Sequence, residues 1–304
     1  MAKANVVTVR VGDARSALGT IGKPRRSYFG LVLRSYMLNK GALIGSVLLA
    51  GWVVLAVFAP LVAPNDPLVP IGLSRQPPAL THLMGTDLLG RDVLSRVIFG
   101  ARISLLLGLI SVAIGVSIGT FLGLPAAYYP GWLGSTIMRV VDAMMAFPGL
   151  LLALVVIASL GPGLFNVMIA VGIGAIPAYA RLVRGSCLAV QITDYVQAAK
   201  VIGSSDLRVM VRHIVPNLVG PVIVLSTLNI GNAILIGASL SYLGMGAQPP
   251  TPEWGLMTAD GRAYLATAWW LTTFPGLAIF SVVIAVNLMG DGLRAALDPR
   301  GRQR

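Results

Sequence analysis

Charge is scarce in this sequence of 304 residues. Only 11% are Asp, Glu, Lys or Arg, against about a quarter in a soluble domain. So few charges cannot cover the surface of a water-soluble fold, and a membrane class becomes the first expectation. Cysteine is nearly absent. Cys187 stands alone, which excludes an internal disulfide and a cysteine metal cluster. The two histidines, His82 and His213, lie far apart, so a catalytic or metal constellation has little to draw on. His82 reads as an outer-loop residue, His213 as part of an inner loop, and Cys187 as a small residue near an inner helix end. No phosphate loop of the GxxxxGK[ST] kind is present, so any ATP is bound by another chain. A cleaved signal peptide is not expected either. Lys3, Arg10, Arg15, Lys23, Arg25, Arg26, Arg34 and Lys40 precede the first apolar stretch, and that stretch is long enough to remain as an anchor.

What is present is apolar: 56% of residues are hydrophobic. About 20 apolar residues cross a bilayer as a helix. Uncharged runs occur at 41–65, 103–138, 143–180, 214–252 and 263–290. The turn segments YYPGWLGS (128–135) and LGPGLFN (160–166) divide two of them. Six helices are predicted, near 41–63, 102–127, 136–160, 165–184, 217–243 and 270–291. Spans of this length are helices rather than barrel strands, so the fold class is an all-α integral membrane protein.

The charges fix an orientation. With the N-terminus in the cytoplasm, the outer segments hold Arg75, Arg91, Arg96, Arg102 and Arg262, balanced by Asp66, Asp87, Asp92, Glu253 and Asp260. The inner segments then carry the whole net charge of +12, as the positive-inside rule requires. The basic character needs no nucleic acid partner; the anionic membrane face suffices. Both termini are expected in the cytoplasm.

Ionisable groups are missing from the middle of every predicted span, with Asp142 and Asp291 near inner ends. Proton- or ion-coupled carriers need such groups, so this chain is not expected to power transport alone. Helix five carries neutral polar residues, Ser226, Asn229, Asn232 and Ser239, with Asn229 and Asn232 on one face. They read as interhelical hydrogen-bonding groups or as the lining of a translocation path. Gly115, Gly119 and Gly123 recur at four-residue spacing, which permits close helix packing in lipid, within the chain or against a partner subunit.

Outside the spans, GTDLLGRD has turn-permitting Gly85 and Gly90, and Asp87 and Arg91 spaced to pair on an outer interfacial helix, at some tenths of a kcal/mol. In QPPTPEWG, prolines stiffen an outer loop and Trp254 is placed to anchor at the interface.

The most informative segment is DYVQAAKVIGSSDLRVMVRHIVPN, 194–217. Ala198, Ala199 and Ile202 before Gly203 predict a short cytoplasmic helix stopped at glycine. A second short helix is predicted from Asp206 to about Ile214, with Pro216 opening helix five. The segment resembles the EAA motif of bacterial binding-protein-dependent ABC importer permeases. Gln197, Ala198, Ala199, Gly203 and Pro216 take the matching positions, with Gln197 in place of the glutamate, His213 of the isoleucine and Val215 of the leucine. HLMGTDLLGRDVLSRVIFGARISL (82–105), MMAFPGLLLAL (144–154), ASLSYLGMGAQPPTPEWG (238–255), AWW (268–270) and NLMGDGLRAALDPR (287–300) are similar to hallmarks of the dipeptide, oligopeptide and nickel permeases. The resemblance spans about residues 30–300 and is to the C-type permease, which pairs with a B-type partner.

That resemblance implies a type I ABC importer permease fold in the bacterial inner membrane. It implies a segment order of a basic cytoplasmic segment (1–40), a first span (41–63), an external loop with an interfacial helix (64–101), a five-helix core (102–293) and a basic tail (294–304). The core includes a coupling loop (185–216) and an external loop (244–269). Tyr195, Gln197, Ala198, Ala199, Lys200, Gly203, Ser204, Arg208 and Pro216 would dock on the ATPase. Gln248, Pro250, Glu253 and Trp254 are candidates for contact with a solute-binding protein. The implied partners are a homologous permease, one or two ABC ATPase subunits that hold the ATP and Mg, an extracytoplasmic binding protein and membrane lipids. No cofactor or metal is expected in this chain. Short peptides are the expected cargo, with nickel chelates, haem and oligosaccharides as alternatives. A self-powered secondary transporter and a membrane enzyme or scaffold are the readings from other classes.

Overall fold

The computed structural model describes residues 28–129 and 131–297. Most of the basic N-terminal segment and residues 298–304 of the basic tail lie outside the described residues. Ten helices organise the described chain: α1 (Tyr28–Leu38), α2 (Lys40–Val57), α3 (Val93–Tyr128), α4 (Trp132–Met145), α5 (Gly149–Leu160), α6 (Leu164–Gln191), α7 (Asp194–Val201), α8 (Val215–Tyr242), α9 (Trp254–Gly261) and α10 (Trp270–Leu297). One turn, Asp206–Arg208, and a π-helical turn, Val209–Ile214, run directly into α8. Extended pairing among the described residues is limited to isolated bridges in the outer loop, such as Thr86 with Asp92.

Five helical stretches are long and apolar enough to cross a bilayer: α2, α3, α6, the run Asp206–Tyr242 and α10. The predicted helix at 136–160 is instead α4 and α5, bent by 97° and together able to make a sixth span. Phe147-Pro148 causes the break. Proline has no N–H to give to the helix, and it disfavours helical geometry at the residue before it. α4 buries Gly134, Met138 and Val141 along one stripe and exposes Arg139 and Asp142. α5 alone has 12 residues, about 18 Å of helix.

The second predicted helix also changes. It starts at Val93, nine residues before the expected 102, and runs for 36 residues, about 54 Å. Asp92 caps its first turn by accepting from the Ser95 amide at 2.9 Å. No separate interfacial helix stands between residues 63 and 92 of the first outer loop. Asp87 and Arg91 pair at 2.7 Å within a turn whose Gly85 and Gly90 have positive φ. Both side chains are largely buried, and Arg96 adds a second cation 3.4 Å from the same carboxylate. This triad is therefore more than the exposed helical pair predicted from the spacing. Arg96 belongs inside a helix because Asp87 and the carbonyl of Pro67, at 3.0 Å, receive its guanidinium.

The glycine series settles on packing within the chain. A Cβ on Gly115 would lie 2.8 Å from Ala175 Cβ, on Gly119 2.5 Å from Tyr179 Cβ, and on Gly123 2.5 Å from the Ala180 carbonyl. All three face α6, and the Ser111 hydroxyl donates to the Met168 carbonyl at 3.0 Å on the same contact. On the other side α2 is held to α10 by the Trp52 indole donating to Ser281 at 2.8 Å. Arg102 of α3 donates to the carbonyls of Ala56 and Val57, where the end of α2 leaves acceptors unpaired.

Candidate functional site

The inner candidate site is the segment between α6 and α8. α7 ends in a Schellman cap. The Ser204 amide donates to the Ala199 carbonyl at 3.1 Å and the Gly203 amide to the Lys200 carbonyl at 3.0 Å. Gly203 takes φ +87° with nothing within 4 Å of a would-be Cβ. Glycine is needed there for backbone conformation, and the space beside it is free. After the turn the chain does not form the expected separate helix to Ile214. It widens into the π turn and continues without a break into α8, with Pro216 in the first turn of α8, where a missing N–H is harmless.

The segment has two faces. Val196, Val209, Ile214 and Leu218 are buried with Ala127 and Tyr128 of α3 and Val183 and Cys187 of α6. The opposite face is apolar and uncovered: Val201 is 87% exposed, Ile202 84% and Leu207 68%. Gln197, Ala198, Gly203, Arg208 and Pro216 share that exposure, while Ala199, Lys200 and Ser204 are half-buried. Gln197 turns its amide back to the Gln191 carbonyl at 2.8 Å. Asn217 donates to the Tyr195 hydroxyl at 3.0 Å and to the His213 carbonyl at 2.7 Å, fastening the two limbs together. Tyr128 is a contact that sequence reading missed. Its hydroxyl donates to Asp206 at 2.7 Å and the Lys200 ammonium lies 4.8 Å from its ring centroid. A paired tyrosine at the inner end of an uncharged run is a recognisable interfacial signal, but nothing local links it to residues 72 and 78 positions later.

The polar residues of α8 do not form one stripe. Ser226 faces inward, accepting from the Tyr179 hydroxyl at 3.3 Å and donating to the Val222 carbonyl at 2.7 Å. Asn229 and Asn232 line a cavity of about 150 Å³ with Ser111, Gly149 and Gly174, and the buried Asn229 amide nitrogen has no partner there. Ser239 opens instead onto an apolar hollow of about 410 Å³ between α8, α9 and α10. Asn232, Leu235, Ser239 and Tyr242 share an exposed face, because steps of three, four and three residues return to the same side of a helix.

On the outer side, Gln248 and Pro250 are exposed, and the Gln248 amide donates to Gly244 and Gly246 carbonyls at 3.3 Å. Glu253 and Trp254, expected on this surface, are inside, 1% and 0% exposed. The Trp254 indole donates to the Val97 carbonyl at 2.9 Å and its ring meets Trp52 edge-on at 5.0 Å. A tryptophan interface anchor is thus replaced by a tryptophan wedge between α2, α3 and α9. Glu253 caps α9, accepting from the Gly255 and Leu256 amides at 2.9 and 2.8 Å. Burial pushes its carboxyl up, opposed by those two amide bonds and by Ser241 and Ser104. Among the described residues no group of three or more His, Cys, Asp or Glu is placed to hold a metal ion.

Comparison with known proteins bears on this arrangement. Residues 115–303 match the family described as "Binding-protein-dependent transport system inner membrane component", and residues 27–78 match the "N-terminal TM domain of oligopeptide transport permease C". The sequence is 48% identical over 274 residues to the di/tripeptide transport system permease protein DppC of Pseudomonas aeruginosa (strain UCBPP-PA14), covering 88% of this chain and 90% of that protein. It is 48% identical over 250 residues to the glutathione transport system permease protein GsiD of Escherichia coli O6:K15:H31 (strain 536 / UPEC), covering 82% of each. In fold it is similar to chains from two crystal forms of the MetNI methionine ABC transporter in inward-facing conformations. Their TM-scores are 0.54 and 0.55 at 19% and 18% identity, covering 67% and 66% of this chain and 97% and 96% of those chains.

Proposed function

Because the chain belongs to the binding-protein-dependent transport system inner membrane components, we propose that it is the C-type permease of an ABC importer for short peptides. It is a multi-pass subunit of the bacterial inner membrane, and it acts with a partner permease, an ATPase and a binding protein. ATP hydrolysis belongs to the partner ATPase. The finer reading gives it a B-type permease as heterodimer partner and one or two ATPase subunits that hold the ATP and Mg, with lipids around the spans. Peptide cargo is supported by the two relatives, whose names specify di/tripeptides and glutathione.

The observation that carries the mechanism is the uncovered apolar face of Val201, Ile202 and Leu207 beside the rigid turn at Gly203. Such a face on the cytoplasmic side suits a groove on a soluble partner. The ATPase would seat there on Ala198, Ala199, Gly203 and Arg208, with Tyr195, Gln197, Lys200, Ser204 and Pro216 holding the segment's shape. Closure of the ATPase dimer moves the segment, and with it α6 and α8. Movement follows only if the ATPase contacts differ between its two states. The exposed face of Asn232, Leu235, Ser239 and Tyr242 would front the path shared with the partner permease. Gln248 and Pro250 remain the exposed candidates for the binding protein.

The test is a mild-detergent pull-down of the tagged chain from its native host, with a Gly203→Arg variant alongside. A second permease and an ATPase should co-purify with the parent chain. The ATPase alone should be lost from the variant, and uptake abolished at normal expression. Normal uptake by the variant would sink the docking reading.

A further inference from the structure

The coupling segment touches more than the two helices that flank it in sequence. Tyr128 closes the inner end of α3 and is buried, yet its hydroxyl is not spent on the core. It reaches the exposed carboxylate of Asp206, the first residue of the helical turn that follows Gly203, at 2.7 Å. The Lys200 ammonium, from the other limb, lies 4.8 Å from the centroid of the same ring. A cation at that distance is attracted by the ring's electron-rich face. The Tyr128 carbonyl also accepts from Gln191 at the end of α6, at 3.5 Å. One residue of α3 thus holds the limb before Gly203, the limb after it and the helix that leads in.

The other end of α3 is tied as firmly. Trp254 donates to the Val97 carbonyl at 2.9 Å, and a Cβ on Gly100 would lie 2.8 Å from the Trp254 ring. Both ties lie on one unbroken helix of 36 residues, packed along α6 through Gly115, Gly119 and Gly123.

We infer that Tyr128 is a positioning residue that fastens the ATPase-coupling segment to α3, so that α3 carries movement of that segment to the outer cap at Trp254. The inference rests on the docking reading given above. It adds a direct route across the membrane to the route through α6 and α8. A tyrosine that only filled the inner core would lose nothing essential on removal of its hydroxyl, because phenylalanine fills the same space.

The experiment uses the whole importer, purified from the native host and placed in lipid nanodiscs. ATP hydrolysis is measured with and without cargo-loaded binding protein. Tyr128→Phe should keep the ATPase bound and the basal rate unchanged. The stimulation by loaded binding protein should fall about tenfold or more, the order expected for one hydrogen bond to a charged acceptor. Asp206→Ala should lose a similar factor, and the double variant no more than either alone, since the two remove the same contact. Unchanged stimulation in Tyr128→Phe, or losses that multiply in the double variant, would overturn the inference. So would loss of the ATPase from Tyr128→Phe, which would make the tyrosine a support of the docking surface itself. Failure of docking as such is read separately, from Gly203→Arg retaining its ATPase.

Discussion

Single residues divide by whether their role is local. Gly203 was legible from sequence because its need is a backbone one: a Schellman cap wants a left-handed residue at that position, and only glycine takes it cheaply. Glu253 was not. Its loop is rich in proline, which reads as exposed, but the carboxylate is turned under to cap α9 beside Ser104 of a helix distant in sequence. That burial has a measurable consequence. The folded-state pKa of Glu253 is raised above the usual glutamate value of about 4.3. The folded chain therefore keeps a proton that the unfolded chain has released, and stability falls as pH rises through that window. Thermal unfolding of the purified chain, followed as the pH is raised from about 4, should show this decline. Glu253→Gln, permanently neutral, should flatten it while keeping an acceptor for the α9 amides. An unchanged slope in the variant would assign the pH dependence elsewhere.

At the scale of elements, the hydrophobic runs were readable because a bilayer imposes a minimum length on each span. Their ends were less so. Arg96 reads as a loop charge until Asp87 is brought beside it, and only then can α3 begin at Val93. Helix partners were equally hidden. The four-residue glycine spacing announces a close approach without naming the surface approached, and the structure supplies it as α6. Gly119→Leu should push α3 off Tyr179 and the Ile176 carbonyl, 2.5 and 2.9 Å from the added Cβ. Overpacking of this kind costs ~1–3 kcal/mol. Gly231→Ala is the control, because its Cβ would meet nothing nearer than Val283 Cγ1 at 3.6 Å. A lower unfolding temperature for the first, with the second unchanged, is expected in detergent. Equal stability of the two would refute the close contact.

For the whole molecule, the question is how many times the chain crosses. The five long spans alone would leave the N-terminal and C-terminal segments on opposite sides. The charge asymmetry places both inside, which requires α4 and α5 to cross as one bent unit. The ends of that unit agree. Asp142 of α4 pairs with Arg181, late in α6, at 2.6 Å, while the Gly163 amide after α5 donates to Met245, just past the outer end of α8, at 3.1 Å. Single-cysteine labelling tests this against a quiet background, because native Cys187 is buried. A membrane-impermeant maleimide should reach Ser135→Cys only from the cytoplasmic side and Pro162→Cys only from the outer side. Labelling of both from one side would make the bent pair a re-entrant loop and break the even count.

The sequence by itself determined the solvent, the helix class and the orientation of this protein, because hydrophobic length and the sidedness of basic residues act one segment at a time. It also determined the glycine-stopped turn of the coupling segment, whose hydrogen bonds all lie within a few residues. Only the tertiary structure decided which helix faces which, where Arg96 and Glu253 could be buried, and that Tyr128 joins the coupling segment to α3. Most of those outcomes depend on partners dozens to more than a hundred residues away, whose pairing lowers the cost of burying polar groups in a way that no local pattern records.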